Sequence, residues 1–591
     1  MQFPALGEFV RFLESVGELH RVSVEVDPAF EITEIAARAV RERKPALLFE
    51  RVRGSRFPLA INVYASERRI ELALGKHPEE FGTEIIHFAE QAISPKPFQL
   101  WKHRSVVRKA AVARSRKILG GVAQEIEEEP RLDTLPIQTC WPEDGGKFIT
   151  QGQVLTYDPL EGKRNVGMYR LHVFNERTTG MHWQIQKGGG FHYRRAERLG
   201  QDLEVAVALG TDPALLLASI AALPEGIDEV QFASFLRGKP MAMTRGRKIS
   251  IQVPAQAEFI LEGIVPHNER KMEGPFGDHF GHYSAAAPFP VFHVKTMTRR
   301  RYPIYPATVV GIPPMEDKFL GDATQHILGP LARLIHKEVR DVWAYYEAGF
   351  HNLLVVSVEE RYKKEAMKAA LGLLGTGQLS LTKCLVLVSA GVDVRNRAAV
   401  LHEIRSNYDP HFDFVLIPKV PLDTLDFTSY TMELGSKMIL DATRKSRGAP
   451  IARRDVESVR RTADQTTSDD RRILSTKLWH DCLLAVKVRG NGKDVIESLV
   501  KRKELAGIPM IAAVSSDVDI EDATNTIWGI FTRFDCERDI VFTRQEMIGI
   551  SPVYEGVMGI DATWKRGYPN PLEMDSSIKK IVDERWDTYW Q

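Results

Sequence analysis

Asn165-Val-Gly-Met-Tyr-Arg-Leu-His-Val-Phe174, then Asn175–Gly180, then Met181-His-Trp-Gln-Ile-Gln186 and Lys187-Gly-Gly-Gly190, is the stretch on which the fold turns. Apolar and polar residues alternate in both runs, which predicts two strands joined across 175–180. On the second run, alternation sets His182, Gln184 and Gln186 on one face and Met181, Trp183 and Ile185 on the other. A polar face with a histidine could line a cofactor cleft, and equally could be a solvated face. The glycines would let backbone N–H groups approach an anion, with Lys187 supplying charge, or would form a flexible turn.

Working outward, the period stays mostly two from about 150 to 310, with further strands expected at Lys248–Val253 and Val291–Val294. A β-rich barrel or sandwich is expected there. On the N-terminal side, Phe9, Val10, Phe12 and Leu13, and Ile32, Ile35, Ala36 and Val40, fall at helical spacing, while Ala46–Phe49 and Leu59–Val63 read as short buried strands. Residues 128–160 become richer in proline and glycine, as at a domain approach. Beyond about 330, helices and apolar strands alternate again.

The last third repeats itself. Val388–Val394 resembles Val514–Ile520, and the same offset of 126 pairs Ile404 with Ile530, Asp409 with Asp535, Asp413 with Asp539 and Val415 with Val541. Met438, Asp441-Ala-Thr443 and Lys445 recur as Met558, Asp561-Ala-Thr563 and Lys565 at an offset of 120. Two degenerate copies of one α/β unit explain this pattern. Residues 446–476, polar and without aromatics, read as an exposed linker or solvated helix.

Composition narrows the function. The 591 residues carry 79 Lys+Arg against 78 Asp+Glu, a net charge of +1, so nucleic acid is not indicated as a partner. No run reaches the roughly 18 apolar residues of a membrane span, and charges lie where a signal peptide's apolar segment would be. Four cysteines without C-x-x-C spacing exclude a disulfide scaffold and a thiolate zinc site, and fit a reducing cytoplasm. A cytoplasmic enzyme of three or four domains is expected.

Two more segments could carry chemistry. Glu273-Gly-Pro-Phe-Gly-Asp278-His279 sets two carboxylates five residues apart around a rigid Gly-Pro. One could position a cation while the other exchanges protons, or the loop is an ordinary acidic turn. Pro224 suits a helix start, with Glu229 a first-turn acid favoured by the helix dipole.

Together these segments resemble the UbiD-type decarboxylases, which use prenylated FMN. The blocks that match are Asn165–Arg170, Met181-His-Trp183 through Gly190, Ala206-Val-Ala-Leu-Gly-Thr-Asp-Pro213, Glu273–Asp278, and Gly435-Ser-Lys-Met438 with Asp441-Ala-Thr443. Arg177–Trp183, Pro313–Asp317 and Gly349-Phe-His-Asn352 resemble the branch acting on menaquinone precursors. A second Asp-Ala-Thr unit and a tail to residue 591 depart from shorter members.

The resemblance implies an N-terminal α/β domain (1–115), a central FMN-binding split β-barrel (116–320), a C-terminal α/β domain (321–446) and a degenerate repeat of it with a tail (477–591). It implies that Asn165, His182 and Glu229 hold Mn²⁺ or Mg²⁺ on the cofactor phosphate, an oxygen and nitrogen ligand set suited to such ions, with K⁺ nearby. Met168, Tyr169, Arg170, His182, Trp183, Gln184, Lys187 and Gly188 would contact the flavin. Asn165 and Arg170 have opposite strand parity, so a bulge or backbone contact is expected. Lys383 is a further phosphate candidate.

By the same resemblance, Arg170 clamps the substrate carboxylate, Glu273 fixes Arg170, and Asp278, protonated at that step, donates the proton that replaces CO₂. His351 would meet a substrate hydroxyl or be structural. The implied enzyme is a carboxy-lyase acting reversibly on a hydroxylated benzoate or naphthoate, or an α,β-unsaturated acid. A flavin prenyltransferase would supply the cofactor, and a homodimer or homohexamer is implied. The alternatives are a flavin-dependent oxidoreductase on a split barrel and a non-catalytic member of a carboxylase complex.

Overall fold

Strand Arg164–His172 is the edge of the sheet that organises the central part of the chain. The computed structural model describes residues 3–93, 104–184, 187–224, 226–429, 431–444 and 456–591. These fall into two compact units, Met1–Leu328 with Asn570–Gln591, and Gly329–Pro569.

In the first unit, the strands run in the order Arg270–Glu273, Ala287–Arg299, Phe259–Val265, Leu203–Leu209, Phe148–Tyr157, Arg164–His172, with Ile126–Glu128 and Thr178–Gly180 also pairing to Ala287–Arg299. Val291–Val294 is thus a strand as expected. The expected barrel is not closed: among the described residues, Arg164–His172 pairs on one side only. Its free edge finds other partners, since Val166 N–H donates to Glu229 Oε2 at 2.9 Å and Arg170 C=O accepts from His182 N–H at 3.4 Å. The edge that would close a barrel meets Glu229 and His182 instead.

The bulge expected from strand parity lies on the neighbouring strand. Pairing jumps from Ile149↔Leu171 to Gly152↔Tyr169, opposite Arg170. Met181–Gln184, the described part of Met181–Gln186, is not the expected strand. Thr178–Gly180 pairs with Val291–His293, and the chain then leaves the sheet through a tight Trp183 N–H to Met181 C=O bond at 2.9 Å. Met181, His182 and Trp183 are consecutively buried, so alternation fails there; Ile185 and Gln186 lie outside the described residues. Lys248–Val253 shortens to Gln252–Pro254.

The N-terminal segment forms the expected helices Leu6–Ser15 and Glu31–Arg41, and a sheet of Leu19–Val22, Ala46–Phe49, Leu59–Ile61 and Tyr305–Pro306. The C-terminal helix Ser576–Tyr589 belongs to this unit. Val582 and Tyr589 are buried in one apolar cluster with Ile32, Ile35 and Ile149.

The second unit holds two five-stranded sheets. One runs Val339–Ala344, Leu353–Val358, Cys384–Ser389, Leu434–Asp441, Phe414–Pro421; the other runs Ile473–Trp479, Leu483–Val488, Met510–Val514, Ser551–Ala562, Ile540–Ile548. In both, the successive pairings are antiparallel, parallel, parallel and antiparallel. Asp441 Oδ1 accepts from Thr443 N at 3.1 Å, and Asp561 Oδ1 from Thr563 N at 3.1 Å. Lys364 Nζ bridges Asp413 (3.0 Å) and Asp441 (3.2 Å); Lys565 Nζ bridges Asp539 and Asp561, each at 3.4 Å. Lys445 lies outside the described residues.

The polar stretch 446–476 is not a linker throughout. Val456–Asp469 is a helix whose Val459, Ala463 and Thr466 are buried on one face, and Ile473 opens a strand. Together with the buried Thr462 these small residues anchor the helix, while Glu457, Arg460, Arg461 and Gln465 meet solvent. Residues 446–455 lie outside the described residues.

Candidate active site

Five side chains in the first unit form one continuous chain: His182, Glu273, Arg170, Asp278, His279. Glu273 Oε1 accepts from His182 Nδ1 at 2.8 Å and from Arg170 Nε at 3.0 Å. Arg170 Nη1 then meets Asp278 Oδ2 in a short contact, and Asp278 Oδ1 accepts from His279 Nδ1 and His279 N–H, both at 2.7 Å. The Arg170 guanidinium lies 4.8 Å from the centre of the Phe276 ring, and the His182 ring is 4.2 Å from that of Phe289. Glu273 and Asp278 therefore converge on one arginine, as expected for the bracketed Gly-Pro loop.

Burial pushes the Glu273 carboxyl up, but His182 and Arg170 outweigh it and hold it below the usual range. Burial and the Arg170 charge push His182 down. A neutral imidazole donating Nδ1–H to a carboxylate leaves the Nε2 lone pair for a ligand. Asp278 is also buried, which pushes its carboxyl up, yet His279 and Arg170 outweigh that and hold it well below the usual range. The resemblance has Asp278 protonated at the step where it donates, so from this arrangement it would have to gain a proton first.

Residues that sequence reading missed hold this loop. Asp144 Oδ1 accepts from Gly277 N at 2.7 Å while Oδ2 accepts from Trp141 N at 2.8 Å and Cys140 N at 3.0 Å. His172 Nδ1 accepts from Gly274 N at 3.4 Å. No spacing rule marks Asp144 or His172; the loop Cys140–Gly145 came forward only as a Pro- and Gly-rich approach.

The second cluster lies further along strand Arg164–His172. Gly188–Leu199 is a helix with Lys187 as its N-cap, not a flexible turn. A Cβ on Gly188 would lie 2.1 Å from Asn165 Oδ1, one on Gly189 2.6 Å from Trp183 Nε1, and one on Gly190 2.9 Å from Gln184 C=O. The three glycines thus admit Asn165, Trp183 and the Gln184 backbone to the helix start. Tyr169 is buried, its hydroxyl accepting from Gly189 N at 3.4 Å, and Met168 is half-buried on the same strand. Glu229 is the first residue of helix Glu229–Arg237, capped by Asp228, so the helix begins five residues after Pro224. Burial pushes Glu229 up to about 7.

This neighbourhood fits an anionic cofactor with a cation. Among the described residues, Asn165 Nδ2 and Trp183 Nε1 are buried without a hydrogen-bond partner, beside the first turn of a helix whose N–H groups suit a phosphate. Asn165 and Glu229 are brought together through Val166, whereas His182 Nδ1 is bonded to Glu273. Among the described residues no three His, Cys, Asp or Glu side chains form a metal-binding group, so a cation here would depend on the Asn165 amide as a ligand. Lys383 and His351 lie in the second unit, with Lys383 Nζ buried against Asp426 at 2.8 Å and His351 paired with Asp423.

Comparison with known proteins matches residues 10–89, 115–313, and 318–442 with 473–562 to the N-terminal, Rift-related and C-terminal domains of 3-octaprenyl-4-hydroxybenzoate carboxy-lyase. A Chlamydia pneumoniae protein whose name makes it part of a 4-hydroxybenzoate decarboxylase is 35% identical over 594 residues, covering 99% of this chain and 98% of that one. The chain belongs to the UbiD family. Family members are carboxy-lyases. A protein of Archaeoglobus fulgidus is 44% identical over 450 residues, 76% of this chain and 93% of its own. Among solved structures, the UbiD-class enzyme HmfF from Pelotomaculum thermopropionicum in complex with FMN is 28% identical with a TM-score of 0.63, covering 77% of this chain and 98% of that one. Sedimentibacter hydroxybenzoicus vanillic acid decarboxylase, 24% identical with a TM-score of 0.68 over 79% of this chain and 99% of that one, shares the fold.

Proposed function

We propose that this UbiD-family protein reversibly decarboxylates an aromatic acid, a hydroxylated benzoate or naphthoate, or else an α,β-unsaturated acid, with prenylated FMN and Mn²⁺ or Mg²⁺. The observation that carries this reading is the convergence of Glu273 and Asp278 on Arg170 beside the Asn165–Gly188 helix start. It is supported by HmfF, solved with FMN and, as an evolved dimeric form, with prFMN.

When bound, the prenylated flavin supplies an electron sink for the pair left as CO₂ departs, which ordinary side chains cannot do. Asn165, Trp183, Lys187 and the glycine-led helix start would hold its phosphate, with the Asn165 oxygen, His182 Nε2 and Glu229 on the cation and Met168, Tyr169, Arg170, Gln184 and Gly188 along the flavin. K⁺ is a further expected ion. Arg170 has donors left beyond Nε and Nη1, and these would take the substrate carboxylate. Glu273 holds Arg170 and His182 in register. Asp278 would deliver the proton to the carbon that lost CO₂. Asp144 and His172 keep the Gly274–Gly277 backbone in place so that this delivery is pre-aligned.

We read Gly329–Pro569 as two copies of one α/β unit and keep the division 1–115, 116–320, 321–446 and 477–591, except that the tail 570–591 of the last segment packs with the first unit. The second copy is assigned to contacts in a homodimer or homohexamer, which native mass spectrometry tests. A cytoplasmic location and a menaquinone-precursor substrate belong to the same reading; among the described residues no helix is long and apolar enough to cross a membrane.

The test is to co-express the chain with a flavin prenyltransferase, record the mass and absorbance of the bound cofactor, and measure deuterium incorporation during decarboxylation of aromatic acids in D₂O. Protein that stays colourless, or deuterium-free product from every acid, rejects the proposal.

A further inference from the structure

Asp278 must acquire a proton, and its surroundings restrict where one can come from. Both of its oxygens are engaged, Oδ2 by Arg170 and Oδ1 by His279 through Nδ1 and N–H. Arg170 keeps its charge throughout and cannot be the donor. His279 can. Side-chain exposure along the chain is 9% at His182, 0% at Glu273, 9% at Arg170, 12% at Asp278 and 23% at His279. The imidazole is the most open of the five groups, and its Nδ1 is already on the carboxylate. We propose that His279 is the positioning residue that reloads Asp278, handing it a solvent-derived proton in each turnover; this rests on the decarboxylase reading.

The balance is simple. Imidazolium Nδ1–H passes its proton to Asp278 Oδ1, leaving neutral imidazole and a carboxylic acid. The acid then gives that proton to the substrate carbon in place of CO₂, and the imidazole takes another from water. No electrons change hands. The hand-over is timed by Arg170: while it holds Oδ2 the carboxylate is stabilised, and when the substrate carboxylate draws the guanidinium away, Asp278 gains proton affinity. Asp317, half-buried at the start of helix Glu316–Leu328, bears on the same imidazole and on Asp278. Its negative charge would favour the imidazolium.

His279→Asn is the informative variant, because its amide can still donate to Asp278 Oδ1 but cannot carry a proton. The holoenzyme, flavin-loaded in the cell, is assayed with 4-hydroxybenzoate, 3,4-dihydroxybenzoate and 2-naphthoate in D₂O containing ¹³C-bicarbonate. Deuterium incorporation is expected to fall about tenfold or more, with KM within about twofold, while ¹³C exchange into the carboxyl group persists. Imidazole added to His279→Ala should restore part of the deuterium incorporation. Wild-type rates of both exchanges in His279→Asn, or an equal fall in both without imidazole rescue in His279→Ala, overturn the proposal. Wild-type enzyme inactive on every acid overturns the decarboxylase reading instead. His279→Gln, checked by flavin absorbance and circular dichroism, replaces His279→Asn if the latter does not fold.

Discussion

Gly188 and Asn165 touch so closely that a methyl group on the glycine would lie 2.1 Å from the asparagine Oδ1. Real Cβ contacts are never that short, so Gly188→Ala must displace Asn165 or the helix start. Expected is a protein that folds but retains about tenfold less flavin and cation, measured by absorbance and elemental analysis of the purified chain. Full retention would mean that this helix start does not hold the cofactor.

Glu273 Oε1 serves Arg170 and His182 at once. Glu273→Gln keeps the size but removes the charge that fixes both, and its amide can face only one of them as an acceptor. A fall in kcat of about a hundredfold is expected, with cofactor content little changed. Steady-state kinetics on the flavin-loaded enzyme decides it.

Chelation should strip a divalent ion bound by Asn165, His182 and Glu229, and flavin should leave with it because the ion would anchor the phosphate. Glu229→Gln should copy this without chelator, since the amide is neutral and a weaker ligand for a hard cation. Parallel elemental and flavin analyses check both; loss of metal without loss of flavin would separate the two sites.

Glu316 is buried with one oxygen on Tyr64 N–H at 2.7 Å, and burial pushes its carboxyl up to about 7. The unfolded chain releases this proton near the ordinary value of 4.5, so across that interval the folded state binds more protons. Stability therefore falls as pH rises from about 4.5 to about 7. Melting temperatures over this range should decline less in Glu316→Gln than in the parent, by a few degrees at the upper end.

Tyr589 Oη donates to Glu31 Oε1 at 2.6 Å, and Arg585 pairs with the same oxygen. Tyr589→Phe should cost about 1–2 kcal/mol, and removal of 570–591 considerably more, because Leu572, Met574 and Val582 leave the core with it. Thermal denaturation tests both.

Local pattern made much legible. Helices at Phe9–Leu13 and Ile32–Val40 and the strand Ala46–Phe49 follow from spacing and apolar runs, since each buries one face or all of a short segment. The paired motifs of the last third lie in two five-stranded sheets whose strands follow the same relative order. Alternation misled at Met181–Trp183, where consecutive burial of Met181, His182 and Trp183 overrides period two. Polarity left a linker and a solvated helix both open at Val456–Asp469, and the chain there is a helix anchored by Val459, Thr462, Ala463 and Thr466.

What the sequence determined by itself is the set of chemical groups and their short-range order: an arginine on a strand, two carboxylates around Gly-Pro, glycines ahead of a helix. Which of them meet was decided only by tertiary structure. Arg170 finds Glu273 and Asp278 at separations of 103 and 108 residues. The ionisation of Asp278 depends on the charges that folding sets around it, a quantity that spacing along the chain does not encode.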